Sequence, residues 1–190
     1  MRAALRDDDQ SLVQKTLAVL GNAVRALGVE CAVDDLNDIR RALCAPAAPG
    51  VALFLGARDF LETIRALGLH CIVLSNVQVR GATEYWRDFA DLDVAHLIDA
   101  VVTSLDVGFR KPHPAMYEAG LRLAGCAASA CVMVGDSEID DIQPAVSLGM
   151  RAIRVAIETP PPATSAAHAV VTSLSEAGSI LTEWAAAAAV

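Results

Sequence analysis

Read for its apolar spacing, the chain changes character near residue 50. Before that point the repeat is helical. Over residues 11–28, SLVQKTLAVLGNAVRALG, the positions Leu12, Thr16, Leu17, Leu20, Val24 and Leu27 fall on one helical face, with Ser11 as N-cap and Gly28 as stop. A second helix, from Asp34 to Cys44, turns Leu36, Ile39 and Leu43 inward. The segment APAAPG at 45–50 is made of helix breakers and small residues and reads as a hinge.

Beyond the hinge, helices alternate with short apolar runs. Ala57 to Leu67 reads as a helix stopped by Gly68, followed by a strand in LHCIVLS. AVVTS at 100–104 is a second strand, and Pro114 to Ala124 a helix with proline in its first turn and Gly125 as its stop. CVMVG is a third strand; a helix ending at Leu148 and Gly149 leads to a fourth, MRAIRV, and a last helix runs from about Leu174 to Ala188. Strands separated by helices need crossover connections, so the expected fold is α/β with a Rossmann-like parallel sheet. The expected division is residues 1–49, two helices, and residues 50–190, the α/β core.

Composition narrows the function. With 190 residues, 54% of them hydrophobic and 20% charged, the chain is long and apolar enough to bury a core. Its net charge of −8 repels nucleic acid and anionic membranes, so neither is expected as a partner. Five cysteines, Cys31, Cys44, Cys71, Cys126 and Cys131, form an odd set without C-x-x-C spacing, and read as buried free thiols in a reducing compartment. The opening MRAALRDDDQ lacks the apolar core of a signal peptide, which makes the expected location cytoplasmic.

In an open parallel sheet, ligands bind beyond the carboxyl ends of the strands. Ser75 and Asn76 close the first strand here, Lys111 lies in the loop after the second, and Asp136 closes the third, which runs on into three carboxylates in GDSEIDD. Each has a plain alternative: a turn, a solvated entry loop, acids favoured by a helix N-terminus. Together, a hydroxyl and backbone N–H groups that hold phosphate, a lysine that neutralises charge and carboxylates that fix Mg²⁺ suit phosphoryl transfer.

The ordered set LFLGARDFLETIRALGLHCIVLSN, GFRKPHPAMYEAGL and VMVGDSEIDDIQPAVSLGM resembles the haloacid dehalogenase-like hydrolases, particularly members with a helical cap. The resemblance implies phosphate binding by Ser75, Asn76 and Lys111, a catalytic role for Lys111 in steadying phosphate and nucleophile, and Mg²⁺ ligation by Asp136 and Asp141, with Asp140 as the alternative to Asp141. It implies a Mg²⁺-dependent phosphatase for a small phosphorylated metabolite. The acids of GDSEIDD favour that activity over dehalogenation of a 2-haloacid, which needs no metal.

One family feature has no counterpart. The first motif, an apolar strand running into Asp-x-Asp, supplies the nucleophile, and LRDDDQ, VDDLND and ADLDVA each lack the strand or the position. The expectation is therefore a sheet without its first, central strand, preceded by the remainder of a helical cap. Either the natural chain starts before Met1, or this is a non-catalytic relative that keeps a phosphate and metal pocket and closes the gap by repacking or homo-oligomerisation.

Overall fold

A computed structural model describes residues 12–44, 52–156 and 164–188, with side chains from Leu17 onward. Ser11, the side chains of Leu12 and Thr16, LRDDDQ and the APAAPG segment lie outside the described residues. The first two helices are α1 (Leu12–Ala26) and α2 (Val33–Leu43). Leu36 is buried between them, but Leu27 and Leu43, read as inward-facing, are 81% and 66% exposed. Leu27 lies one residue past the end of α1, and Leu43 closes α2, so each falls where the apolar stripe has run out of neighbouring helix.

The remainder follows in the order α3 (Ala57–Ala66), β1 (Ile72–Ser75), α4 (Ala82–Asp91), β2 (Ala100–Thr103), α5 (Ser104–Val107), α6 (Pro114–Ala124) and β3 (Val132–Gly135). A π-helical turn at Glu138–Ile142 then leads into α7 (Gln143–Ser147), β4 (Arg151–Val155), β5 (Ala169–Val171) and α8 (Leu174–Ala188). Helix ends obey local chemistry: α6 begins on Pro114 behind a His113 side-chain cap and stops at Gly125, whose φ of 65° suits a residue without Cβ. At the start of α4, Glu84 accepts from the Gly81 N–H at 2.7 Å and Asp106 from the Ala82 N–H at 2.9 Å, satisfying two donors that the helix leaves open.

All described strand pairings are parallel, as expected, but the strands form two sheets, not one: β1 with β2, and β3-β4-β5. The two occupy one layer. Cys71, ahead of β1, and Val132 and Val134 of β3 pack with Ile64 of α3 and with Ala177 and Leu181 of α8 on one side. Ile72, Leu74 and Met133 pack with Met116 and Tyr117 of α6 and Ala145 of α7 on the other. Thus β1 and β3 share both covering layers, yet no ladder joins them among the described residues.

Carbonyl directions show which edges are open. The Cys71 carbonyl accepts from Asp99 beside β2, and the Cys131 carbonyl from Arg151 at the start of β4. Because successive carbonyls in a strand point to opposite edges, those of Ile72 and Leu74 face away from β2, and those of Val132 and Val134 face away from β4. The open edges of β1 and β3 therefore bound a slot in the middle of the layer. Both strands remain only partly buried throughout, whereas β4, paired on both sides, is buried over its last four residues.

The start of β1 is fixed by Asp99, which accepts from the Cys71 N–H at 2.7 Å and from Arg65 Nη1 at 3.2 Å; His70 Nδ1 stands 3.6 Å from it. Burial pushes the Asp99 carboxyl up, but the Cys71 N–H, Arg65 and His70 outweigh it and hold the group below its usual range. A lowered folded pKa stabilises the protein above the unfolded value of about 3.9, and the gain is lost as pH falls through the folded value. Asp99→Asn is therefore expected to cost about 1 kcal/mol at pH 7, from hydrogen bonds weakened by loss of charge. Urea melts of parent and variant should converge as the pH drops below about 4.

Candidate active site

The site forms where the slot opens at the carboxyl ends of β1 and β3. Lys111 reaches it from the loop between α5 and α6. Its ammonium donates to the Leu74 carbonyl at 2.9 Å, on the open edge of β1, and to Asp141 Oδ1 at 2.6 Å, beyond the end of β3. The lysine and aspartate side chains are 12% and 6% exposed, so the pair sits largely out of water. Its attraction is weakly screened there, and each charge needs the other.

Asn76 fixes the backbone from which Lys111 springs. Its Oδ1 accepts from the Lys111 N–H at 2.7 Å and its Nδ2 donates to the Lys111 carbonyl at 3.0 Å. The amide side chain thereby clamps the lysine loop to the end of β1. The Lys111–Pro112 peptide in that loop is cis. His113 caps α6 through Nδ1 and stacks on Phe109 with ring centres 3.9 Å apart.

On the β3 side, a tight turn delivers Asp141. Ser137 N–H donates to Asp141 Oδ2 at 3.0 Å, and Ser137 Oγ accepts from the Asp140 N–H at 3.0 Å. The buried Tyr117 hydroxyl donates to the Asp140 carbonyl. Burial first, and then the nearby Asp141 and Asp140 carboxylates, push the Tyr117 phenol well up, so it stays protonated as a donor. Gly135 makes room: a Cβ there would lie 2.5 Å from Asp141 Cγ.

The sequence-predicted residues are not all brought together. Lys111, Asp141 and Asn76 share one hydrogen-bonded cluster with the Leu74 carbonyl. Ser75, the next residue, is bonded instead to the Tyr85 hydroxyl of α4 at 2.7 Å. Asp136 is exposed at the strand end, and its carbonyl accepts from Arg154 Nε of β4 at 3.2 Å. Asp140 enters the network through its backbone. Neither Tyr85 nor Tyr117 stands out in the sequence, because a tyrosine on an amphipathic helix carries no sign of where its hydroxyl ends.

The donor set limits what these residues hold. Mg²⁺ takes about six oxygens in strict octahedral geometry. Among the described residues no three histidine, cysteine, aspartate or glutamate side chains gather into a metal site. Asp141 is already engaged by Lys111 and by the Ser137 N–H. Mg²⁺ commonly keeps several waters and is held by one or two carboxylates with substrate phosphate, and Asp136, exposed at the strand end, is the carboxylate here that could join such a set. What the described residues do provide is a largely buried cation held at a strand end, among partly buried carboxyl-end residues of β1 and β3.

The haloacid dehalogenase-like hydrolase family model matches residues 15–155, well over half of the chain. The chain belongs to this family. It is 38% identical over 103 residues to a glyceraldehyde 3-phosphate phosphatase of Methanothermobacter thermautotrophicus, a match covering 54% of this chain and 44% of that protein. Over 104 residues it is 32% identical to a phosphoserine phosphatase of Thermus thermophilus, covering 54% and 40%. The chain thus spans less than half the length of these curated relatives.

Among solved structures, a 2-haloacid dehalogenase of Pseudomonas syringae is similar at TM-score 0.65 and 25% identity, over 93% of this chain and 74% of that one. A phosphatase of the family from Thermococcus onnurineus has a TM-score of 0.60 at 18% identity, over 90% of both chains, and speaks to fold alone. The α/β fold with parallel sheets and the hydrolase family are thereby established. Among the described residues no helix is long and apolar enough to cross a membrane.

Proposed function

We propose that this hydrolase acts on a small phosphate ester, and that its nucleophilic aspartate enters on a strand seated between β1 and β3. The observation that carries the reading is the Lys111–Asp141 pair at the mouth of the slot, with the Leu74 carbonyl of the open β1 edge as the third partner. A strand placed there would pair with both open edges and end beside the Lys111 ammonium.

In this reading Lys111 lies close to both the attacking carboxylate and the phosphoryl oxygens, and lowers the cost of bringing two anions together. Asp141 holds the ammonium in place, and Asn76 fixes the loop that carries it. Ser75 and the backbone at Asn76 receive phosphate oxygens, with Tyr85 orienting the Ser75 hydroxyl. The aspartate attacks phosphorus to form an aspartyl-phosphate, which water then hydrolyses. Mg²⁺ belongs to this reading only with ligands from the added strand, Asp136 being the exposed carboxylate on this side. Helices α1 and α2 belong to a helical cap that helps to choose the ester. The similarity to the two phosphatases supports the substrate class.

Two other readings have specific support. The 25% identity to a 2-haloacid dehalogenase favours attack on carbon with release of halide. The internal satisfaction of Lys111 by Asp141 and Leu74 favours a non-catalytic phosphate-binding protein. All three separate in one experiment: the chain carrying an added N-terminal strand that ends in Asp-x-Asp, assayed with Mg²⁺ against small phosphate esters and 2-haloacids. Phosphate release is expected. Halide release would move the assignment to dehalogenation, and no turnover from a folded protein with the slot filled would favour the binding protein.

A further inference from the structure

At the opposite end of β3 from Asp136 lies a second reactive group. Cys126 follows the Gly125 stop of α6, and Cys131 immediately precedes β3. Their sulfurs are 3.3 Å apart, in hydrogen-bond contact, and the Cys131 thiol also meets the Ala127 carbonyl at 3.5 Å. Between them runs Ala127-Ala-Ser-Ala130, with a single 3₁₀ turn at Ala128–Ala130 and no bulky side chain. Contrary to the reading of all five cysteines as buried thiols, Cys126 is exposed and Cys131 only partly buried.

We propose that Cys126 and Cys131 form an oxidisable dithiol that closes to an intramolecular disulfide by exchange with a low-molecular-weight disulfide such as oxidised glutathione. A disulfide needs its sulfurs about 2.05 Å apart, so closure takes a little over an ångström of approach across a short loop of small residues. Exposure decides the order of events. The Cys126 thiolate attacks one sulfur of the small disulfide, forming a mixed disulfide and releasing the other half as a thiol. The Cys131 thiol then loses its proton to solvent, attacks Cys126 Sγ and expels the second small thiol. In sum, two protein thiols are oxidised to one disulfide and one small disulfide is reduced to two thiols.

Burial, and then the contact with Cys126, push the Cys131 thiol up to about 11. Near neutral pH little of it is thiolate, so ring closure should accelerate as the pH rises toward that value. The inference is independent of the slot and of any phosphate chemistry.

The test uses the full chain in glutathione buffers of stepped ratio, followed by acid quench, alkylation, trypsin and mass spectrometry. Leu123 to Arg151 is one tryptic peptide that carries Cys126 and Cys131 and no other cysteine. In the parent, this peptide is expected to become lighter by two hydrogens and to lose both alkylation sites together as the buffer becomes more oxidising. Cys131→Ser should instead accumulate one glutathione on Cys126, since nothing remains to displace it. A parent peptide that takes up glutathione without closing, or stays doubly alkylated at every ratio, would overturn the proposal. Cys126 is exposed, so Cys126→Ser serves as a folded control that cannot close.

Discussion

Replacing Lys111 by methionine is expected to lower stability by about 3 kcal/mol, since removing one partner of a buried ion pair leaves the other charge uncompensated. In the variant, Asp141 at 6% exposure keeps the Ser137 N–H as a hydrogen-bond donor but loses its counter-charge, and the Leu74 carbonyl loses its donor on the open edge of β1. For a chain of this length the melting temperature should fall by roughly 10 °C. The double variant Lys111→Met, Asp141→Asn should recover part of that loss, because the charge is removed with its counter-charge. A loss that does not shrink in the double variant would mean that Lys111 contributes by packing rather than by pairing. The same substitution should abolish binding of inorganic phosphate at this end of the sheet, measured by calorimetry at a pH where the variant is folded.

Gly135→Ala is the second large effect. Its Cβ would lie 2.5 Å from both Cγ and Oδ2 of Asp141 and 2.6 Å from its Cβ. Asp141 cannot swing aside cheaply, because Lys111 and the Ser137 N–H hold its two oxygens. Overpacking of this kind costs about 1–3 kcal/mol, and breaking the ion pair adds to it. Gly120→Ala offers the contrast: there the new atom meets Leu74 Cδ1 at 2.9 Å, the end of a side chain that can rotate. Denaturant melts should rank Gly135→Ala well below Gly120→Ala. If the Asp141 contact is the cause, Gly135→Ala should cost little more in an Asp141→Gly background; equal cost in both backgrounds would place the strain elsewhere.

How far the sequence reveals this molecule depends on whether the deciding interactions are local. The limits of α6 follow from Pro114 and Gly125, and those of α3 and α8 agree with the expected spans, because caps and periodicity lie within a few residues. Strand limits agree less well: LHCIVLS yields only Ile72–Ser75, with Leu69 39% exposed. The three-residue β5 goes unread because its placement depends on pairing with β4, which no local pattern announces. Leu27 and Leu43 carry apolar spacing without a partner to cover them.

The site shows the same division. Strand ends and motif order bring Lys111 and the acids of GDSEIDD into view, and the fold joins Lys111 to Asp141. The Asn76 clamp, the Ser75–Tyr85 bond and the Tyr117 hydroxyl are side-chain meetings between distant segments, and they become visible only once the chain is folded. The parallel pairing is legible in the alternation of helices and strands, whereas the division between β1 and β3 is seen only in the folded chain. That this slot receives the strand with the nucleophile remains the proposal on which the function rests.

The most direct test of that claim is phosphate release by the chain with the strand ending in Asp-x-Asp supplied at its N-terminus, compared with the same protein carrying Asp136→Asn, with hydrogen exchange at Ile72 and Leu74 recording whether the slot is filled. The account predicts slowed exchange at both amides, Mg²⁺-dependent turnover of a small phosphate ester, and loss of that turnover in the variant. Slowed exchange with turnover that survives Asp136→Asn, or with none to lose, would contradict it.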